Sequence, residues 1–252
     1  MTAEAIRIPS AGALFWAEAS PDGSGGMRAI VGRPPLLQVS LSAPLPSGIS
    51  ALIERRGVAL VALPQYYDHL PTEAELATPS AVASVTVQGT VESLDGRFFP
   101  RQFSVTSTPG AASYVPLRPS LQATRITEAG ALVLTLKWQD GSAASWSILS
   151  LSCVRNGAML GFSGQADRNG DIIVPLTGLP PLVAPQTNDQ MTVTALGDRT
   201  QSGQAIGNPD ALKAVRISLG GTFAAQQTIA VTRGRITSAA TLAIPGITLQ
   251  ST

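Results

Sequence analysis

Residues 131–178 read ALVLTLKWQDGSAASWSILSLSCVRNGAMLGFSGQADRNGDIIVPLTG. Apolar and polar residues alternate through this stretch, and Asx-Gly pairs punctuate it at Asp140-Gly141, Asn156-Gly157 and Asn169-Gly170. In the first run Leu132, Leu134, Leu136 and Trp138 have one parity, and Ala131, Val133, Thr135 and Lys137 the other. Side chains on a strand alternate between faces, and Asx-Gly supplies the positive φ angles of tight hairpin turns. The stretch therefore predicts antiparallel hairpins with one buried face. A second run changes phase: Trp146 and Ile148 share one parity, while Leu149, Leu151 and Cys153 share the other. A strand that keeps one face buried cannot do this without an inserted residue, so a β-bulge is expected at 148–150.

The same signals recur on either side. Strand-like runs occur at Leu37-Val39-Leu41, Ile49-Ala51-Ile53, Val58 to Leu63 and Val85-Val87-Gly89-Val91, then at Phe99, Phe103 and Val105 beyond Asp95-Gly96. Later runs are Met191-Val193-Ala195 and Val215-Ile217-Leu219. Residues 20–26 (SPDGSGG) and Gly197 to Pro209 read as loops, and Pro109 to Pro119 as a linker. Thr72 and Glu75 form a capping box after Pro71, predicting a short helix over Glu73 to Ala77. No long helical period appears. The expected class is all-β: two β-sandwich blocks with extended arms. The divisions are an N-terminal arm at 1–35, a first sandwich at 36–118, a second at 119–221 and a strand-rich segment at 222–252. That last segment has only Arg233 and Arg235 as charges. Exposed strands are normally protected by charge, proline or a covering element, so this one is expected to lie outside the closed core and join a neighbouring subunit.

Composition agrees with packed sheets. The chain of 252 residues is 44% hydrophobic and 13% charged, with 24 Gly and 19 Pro, which excludes a disordered chain of low hydrophobicity and high charge. A net charge of +1 provides no general field for nucleic acid or anionic lipid, so neither is an expected partner. Met1 to Ser10 lack a basic segment followed by an apolar run, so no secretory signal is expected. No stretch approaches the roughly 18 apolar residues of a spanning helix.

Catalytic chemistry finds little purchase. A Ser-His-Asp or Cys-His hydrolase needs a positioned imidazole, and the single histidine, His69 in YYDHLP, has a context that fits a loop residue packed on Tyr66 or Tyr67. Cys153, the one cysteine, reads as a small buried residue, with an intermolecular disulfide or a reactive thiol as alternatives. Asp22-Gly23-Ser24-Gly25-Gly26 bears only a loose likeness to a serine-protease loop, and there is no G-x-S-x-G or P-loop. Asp167, Asn169 and Asp171 alternate as calcium ligands do, but the glycine and distal glutamate of an EF-hand loop are missing. Two readings stand for them, a type I′ turn at Asn169-Gly170 and a calcium site. Trp138 and Trp146 are expected in the core, and Trp16 lies in the N-terminal segment. No catalytic, cofactor-binding or metal-ligating residue is assigned, and no cofactor is expected.

Several of these pieces together resemble the transthyretin-like, carboxypeptidase-regulatory type of β-sandwich. They are Gln139-Asp140-Gly141, Trp146 to Val154, Gly164-Gln165-Ala166-Asp167-Arg168-Asn169-Gly170-Asp171-Ile172, and Val174-Pro175-Leu176 through Pro181. The segment Val87 to Val91 with Leu94-Asp95-Gly96 and Pro100 is similar to the opening hairpin of the same unit. The family's closing G-x-Y-x-[LV] strand is missing. The resemblance implies Ig-like or transthyretin-like sandwiches of the kind found in bacteriophage tails, baseplates and contractile injection systems. What it implies for this chain is a non-enzymatic structural subunit, made in the cytoplasm and assembled with other subunits into a virion or tail-like particle. The alternative is a carbohydrate-binding module at a cell surface, using Tyr66, Tyr67 and the loop Gly197 to Pro209.

Overall fold

A computed structural model describes residues 10–22, 25–46, 49–62, 84–109, 111–182 and 186–251. The fold is all-β, built as two sandwich-like blocks, each with its own apolar core. His69, Tyr66, Tyr67 and the expected helix over 73–77 lie outside the described residues.

Among the described residues the first block has eight strands: β1 (Ser10–Ala19), β2 (Met27–Arg28), β3 (Leu37–Leu41), β4 (Ile49–Glu54), β5 (Gly57–Ala62), β6 (Val85–Ser93), β7 (Arg101–Ser107) and β8 (Ala112–Leu117). One sheet runs β2-β1-β5-β4, with β8 lying parallel along β1. The other runs β3-β6-β7. Period-two burial explains how the two layers face each other. Leu14, Trp16, Val58, Leu60, Val115 and Leu117 point inward from the first sheet, and Val85, Val87, Val91 and Phe103 meet them from the second. The Trp16 and Phe103 rings meet edge to face, with centroids 5.8 Å apart. Two sequence expectations are corrected here. The N-terminal segment is no arm from Ser10 onward, because β1 pairs with β2, β5 and β8 and fills the core with Leu14 and Trp16. The proline-rich stretch 109–119 is no linker either: β8 occupies most of it, and Pro116 sits opposite Ala17 in a parallel ladder.

Nine strands form the second block: β9 (Ala131–Trp138), β10 (Ile148–Arg155), β11 (Ala158–Gln165), β12 (Asp171–Pro175), β13 (Asp189–Gly197), β14 (Lys213–Ser218), β15 (Gln227–Val231), β16 (Ile236–Ser238) and β17 (Ile247–Gln250). Their order is β11-β10-β13-β14-β17-β9-β12, with β15 also on β13 and β16 also on β9. The path curls until its two ends lie close together: a Cβ on Gly164 in β11 would stand 2.3 Å from the Ile173 carbonyl oxygen in β12. The face read from the sequence is the buried one. Leu132, Leu134, Leu136 and Trp138 join Leu149, Leu151, Cys153, Met191, Val193 and Ile217 in one core.

The turns follow their chemistry unevenly. Asn156 and Gly157, with φ of 50° and 77°, close the β10–β11 hairpin as the type I′ turn expected of Asn-Gly. At 167–170 the type I′ expectation fails: only Gly170 has positive φ, and the Gly170 N–H donates to the Asp167 carbonyl across Arg168 and Asn169. That turn connects β11 to β12, which pairs with β9 and makes no hairpin with β11. The bulge expected at 148–150 is also absent. Ile148 to Ser152 keep unbroken register with both β11 and β13. The phase change is instead accommodated at Trp146, a non-glycine residue at φ 62° just ahead of the strand, and Ile148 is buried on the face opposite Leu149.

The C-terminal segment is part of the core. β17 lies between β14, antiparallel, and β9, parallel, with Ile247 and Leu249 fully buried, and β15 adds Ile229 and Val231. A four-residue helix, α1 (Ala239–Leu242), starts at Ser238, whose side chain accepts the Thr241 N–H, and packs against the core before β17. The expectation that 222–252 stands outside a closed domain was reasonable from its few charges, but those strands escape exposure by being interior. No helix among the described residues is long and apolar enough to cross a membrane.

Candidate functional site

The loop after β13 was the most loop-like part of the sequence, and it proves to be a clamp. Asp198 accepts hydrogen bonds from the Thr200 amide and hydroxyl at 2.9 and 2.7 Å, starting a 3-10 turn at Arg199–Gln201. Gln201 is buried and both donates to and accepts from the Asn208 backbone, closing the loop on itself. The loop then grips the turn before β10. Ser202 Oγ donates to the Ala143 carbonyl, Gly203 N–H to Ser145 Oγ, and Trp146 Nε1–H to the Gln204 carbonyl at 3.0 Å. Gly207 lies flat against the Trp146 ring, where a Cβ would come within 2.6 Å of Cγ, so only glycine fits without displacement.

The same loop joins the blocks. Phe99 meets Trp146 edge to face at 5.9 Å. Gln102 N–H donates to the Gly207 carbonyl at 2.7 Å. The buried Arg101 guanidinium donates to the Pro116 carbonyl at 2.6 Å and pairs with Asp210 at 2.5 Å, and Asp210 lies in a second 3-10 turn, Pro209–Ala211. Burial disfavours the Arg101 charge, and Asp210 offsets that cost. At the other rim the Ser163 N–H donates to the Pro21 carbonyl at 2.6 Å, bringing the loop after β1 onto β11. Gly197 to Pro209 is thus ordered by contacts within the chain, with Arg199, Thr200, Gly203, Gln204 and Ala205 left exposed at its surface.

Candidate chemical residues separate in space. Asp167 Oδ1 accepts the Asn169 and Asp171 amides at 2.7 and 3.0 Å, and Asp171 accepts the Thr135 hydroxyl at 2.6 Å. These carboxylates are committed to organising the turn, and no group of three or more His, Cys, Asp or Glu residues poised for a metal occurs among the described residues. Cys153 is buried in the second core, where burial first and the Asp189 carboxylate second push its thiol pKa up, against a smaller opposing effect of Arg155. A raised pKa leaves less thiolate, so this cysteine is poorly suited to nucleophilic chemistry. Arg155 and Asp189 form an ion pair at 2.9 Å beside it. Trp138 and Trp146 are 2% and 3% exposed, as the sequence predicted.

Exposed apolar side chains occur on both blocks: Val154 and Met159 sit opposite each other on the β10–β11 hairpin of the second, and a larger set lies on the first. Among the described residues β4 is paired only with β5 and is an edge strand. Leu52 and Ile53 are 54% and 47% exposed on it. Register places Leu52 beside Ala59 and Ala59 beside Ala13, on the face that carries Phe15 and its neighbour Tyr114. The two rings are 5.9 Å apart and both exposed. They line a cleft of about 740 Å³ bordered by Arg55 and Arg56. Alternation alone could have signalled an outward Phe15 once β1 was recognised as a strand. The edge position of β4 depends on topology and left no local signal. Comparison with known protein families, curated proteins and solved structures finds no match for this chain.

Proposed function

We propose that the protein is a non-enzymatic structural subunit of a multi-subunit particle, of the bacteriophage tail, baseplate or contractile-injection kind, and that it joins a second copy of itself along β4. The observation carrying this reading is the β4 edge, which no described strand other than β5 pairs with. Native edge strands are blunted by lysine, proline, bulges or a covering element. β4 reads ISALIE, with no proline and no lysine, in continuous register with β5. Its exposed Leu52 continues into the apolar outer face bearing Phe15 and Tyr114. Two such edges can meet antiparallel about a two-fold axis, satisfying the backbone groups of both strands and bringing the two apolar outer faces together into one continuous surface. The resemblance to tail and baseplate sandwiches supports the kind of particle by analogy of fold.

Light-scattering mass of the full chain, 26.0 kDa as a monomer, tests the reading. The expected result is a dimer or larger species through the micromolar range, reduced by Leu52→Lys to a monomer that still melts cooperatively, at a midpoint independent of concentration. A monomeric wild type, or a Leu52→Lys variant that associates as before, overturns the β4 assignment. Binding to a glycan array by the monomer would favour the carbohydrate reading instead.

A further inference from the structure

Between the two blocks lies a second cleft, of about 790 Å³, whose lining is unusually basic for a chain with a net charge of +1. Arg28, Arg97, Arg118 and Arg125 line it together with one acid, Glu18, and Glu18 is already paired with Arg28. Arg97 stacks over the Phe98 ring and donates to the Arg33 carbonyl. Arg118 is the anomaly. It is half-buried, its guanidinium makes one hydrogen bond, a 3.4 Å contact from Nη1 to Ser163 Oγ, and no carboxylate among the described residues pairs with it. Burial, and then the nearby Arg101 charge, press against its protonated form. Its neighbour Arg101 has Asp210 as counter-ion, so the two guanidinium groups differ in what balances them. A withdrawn charge without a partner is costly in a folded protein. Gln165 lies on the same wall, but its Nε2 is closed off from the cleft. A half-buried guanidinium without a carboxylate partner, in a cleft with three further arginines, lacks an oxyanion.

We propose that this inter-block cleft binds a small-molecule oxyanion, a carboxylate or phosphate group, with Arg118 as its principal counter-ion and the exposed Arg125 as a second. Its volume falls in the range of small-molecule sites, about 300–1,000 Å³. The site is independent of the β4 edge, so it survives if the protein proves monomeric.

Melting of the full chain in sodium phosphate, in sodium citrate and in sodium chloride at matched ionic strength tests the proposal. A ligand that binds only the folded state raises the transition in proportion to log concentration once the site saturates. Phosphate or citrate is expected to raise the midpoint progressively while chloride does not, and whichever acts identifies the oxyanion class. Arg118→Gln should abolish the dependence. Because that substitution can itself alter folding, Arg125→Gln at the exposed mouth provides a second reading, weakening the apparent affinity roughly tenfold through one lost charged hydrogen bond. Equal midpoints in all three salts, or a phosphate or citrate response unchanged in both variants, overturns the site.

Discussion

Leu249→Ala is the sharpest probe of the second block. Leu249 sits in β17 between β14 and β9, 0% exposed, and touches a core drawn from strands at both ends of the block. Truncation removes three carbons, worth about 0.8 kcal/mol each in transfer, or roughly 2.4 kcal/mol. The cavity left behind raises the total to about 3–5 kcal/mol, since two flanking ladders hold the backbone and limit collapse. For a block of this size each kcal/mol moves the midpoint by about 3 °C, so a fall of roughly 10–15 °C is expected in calorimetry. Urea unfolding should show the same loss with an unchanged slope. Removing residues 246–252 deletes Ile247 as well and takes from β14 and β9 the strand that joins them, a loss comparable with the whole 5–15 kcal/mol of a typical domain. A Leu249→Ala midpoint within about 1 °C of wild type would falsify the interior placement of β17. So would a truncated chain whose melting is unchanged.

Other outcomes follow from the junction and the titrating groups. Gly207→Ala, which pushes a Cβ into the Trp146 ring, should destabilise by about 1–3 kcal/mol and shift tryptophan emission, whereas Gly221→Ala, with open space at its Cβ, should leave the emission unchanged. Asp198 titrates below its ordinary value of 3.8: burial is the largest single effect and raises its pKa, but the bonds from Thr200 and Gln201 and the Lys213 charge together outweigh it. Because its folded pKa is the lower, the stability it contributes is complete above the unfolded value and lost as the pH falls through the folded one. An acid titration of Asp198→Asn against wild type should therefore converge only below about pH 4. The Cys153 thiol, buried with its pKa raised, should react with a disulfide reagent at pH 8 far more slowly in the native protein than in urea, and equal rates would contradict its placement.

Much of the second block was legible because its information is local. The inward parity of Leu132, Leu134, Leu136 and Trp138, and the Asn156-Gly157 turn, depend on neighbours in sequence, and both are found as read. Partnerships across long separations were not legible. β17 lies beside β9, more than a hundred residues earlier, and β8 runs parallel to β1; nothing in ITLQ or ASYVPL encodes those neighbours. The low charge of 222–252 marks apolar surroundings equally well whether a second subunit or the chain itself supplies them, and here the chain does. The clamp at 198–211 was read as a free loop because its polar residues look solvated. Their partners, Ser145, Trp146 and Arg101, come from segments that the sequence keeps far apart. Arg118 gave no signal at all, since an arginine without a counter-ion can be recognised only after folding.

The docking role of β4 is tested most directly by amide hydrogen exchange across its residues, 49–54, as a function of protein concentration. If a second copy closes this edge, amides of β4 that do not donate to β5 become protected as concentration rises, while protection in β6 and β10 stays constant. If β4 amides exchange at the same rate at every concentration and the mass remains 26.0 kDa, the edge is free in solution and the proposed assembly through it is wrong.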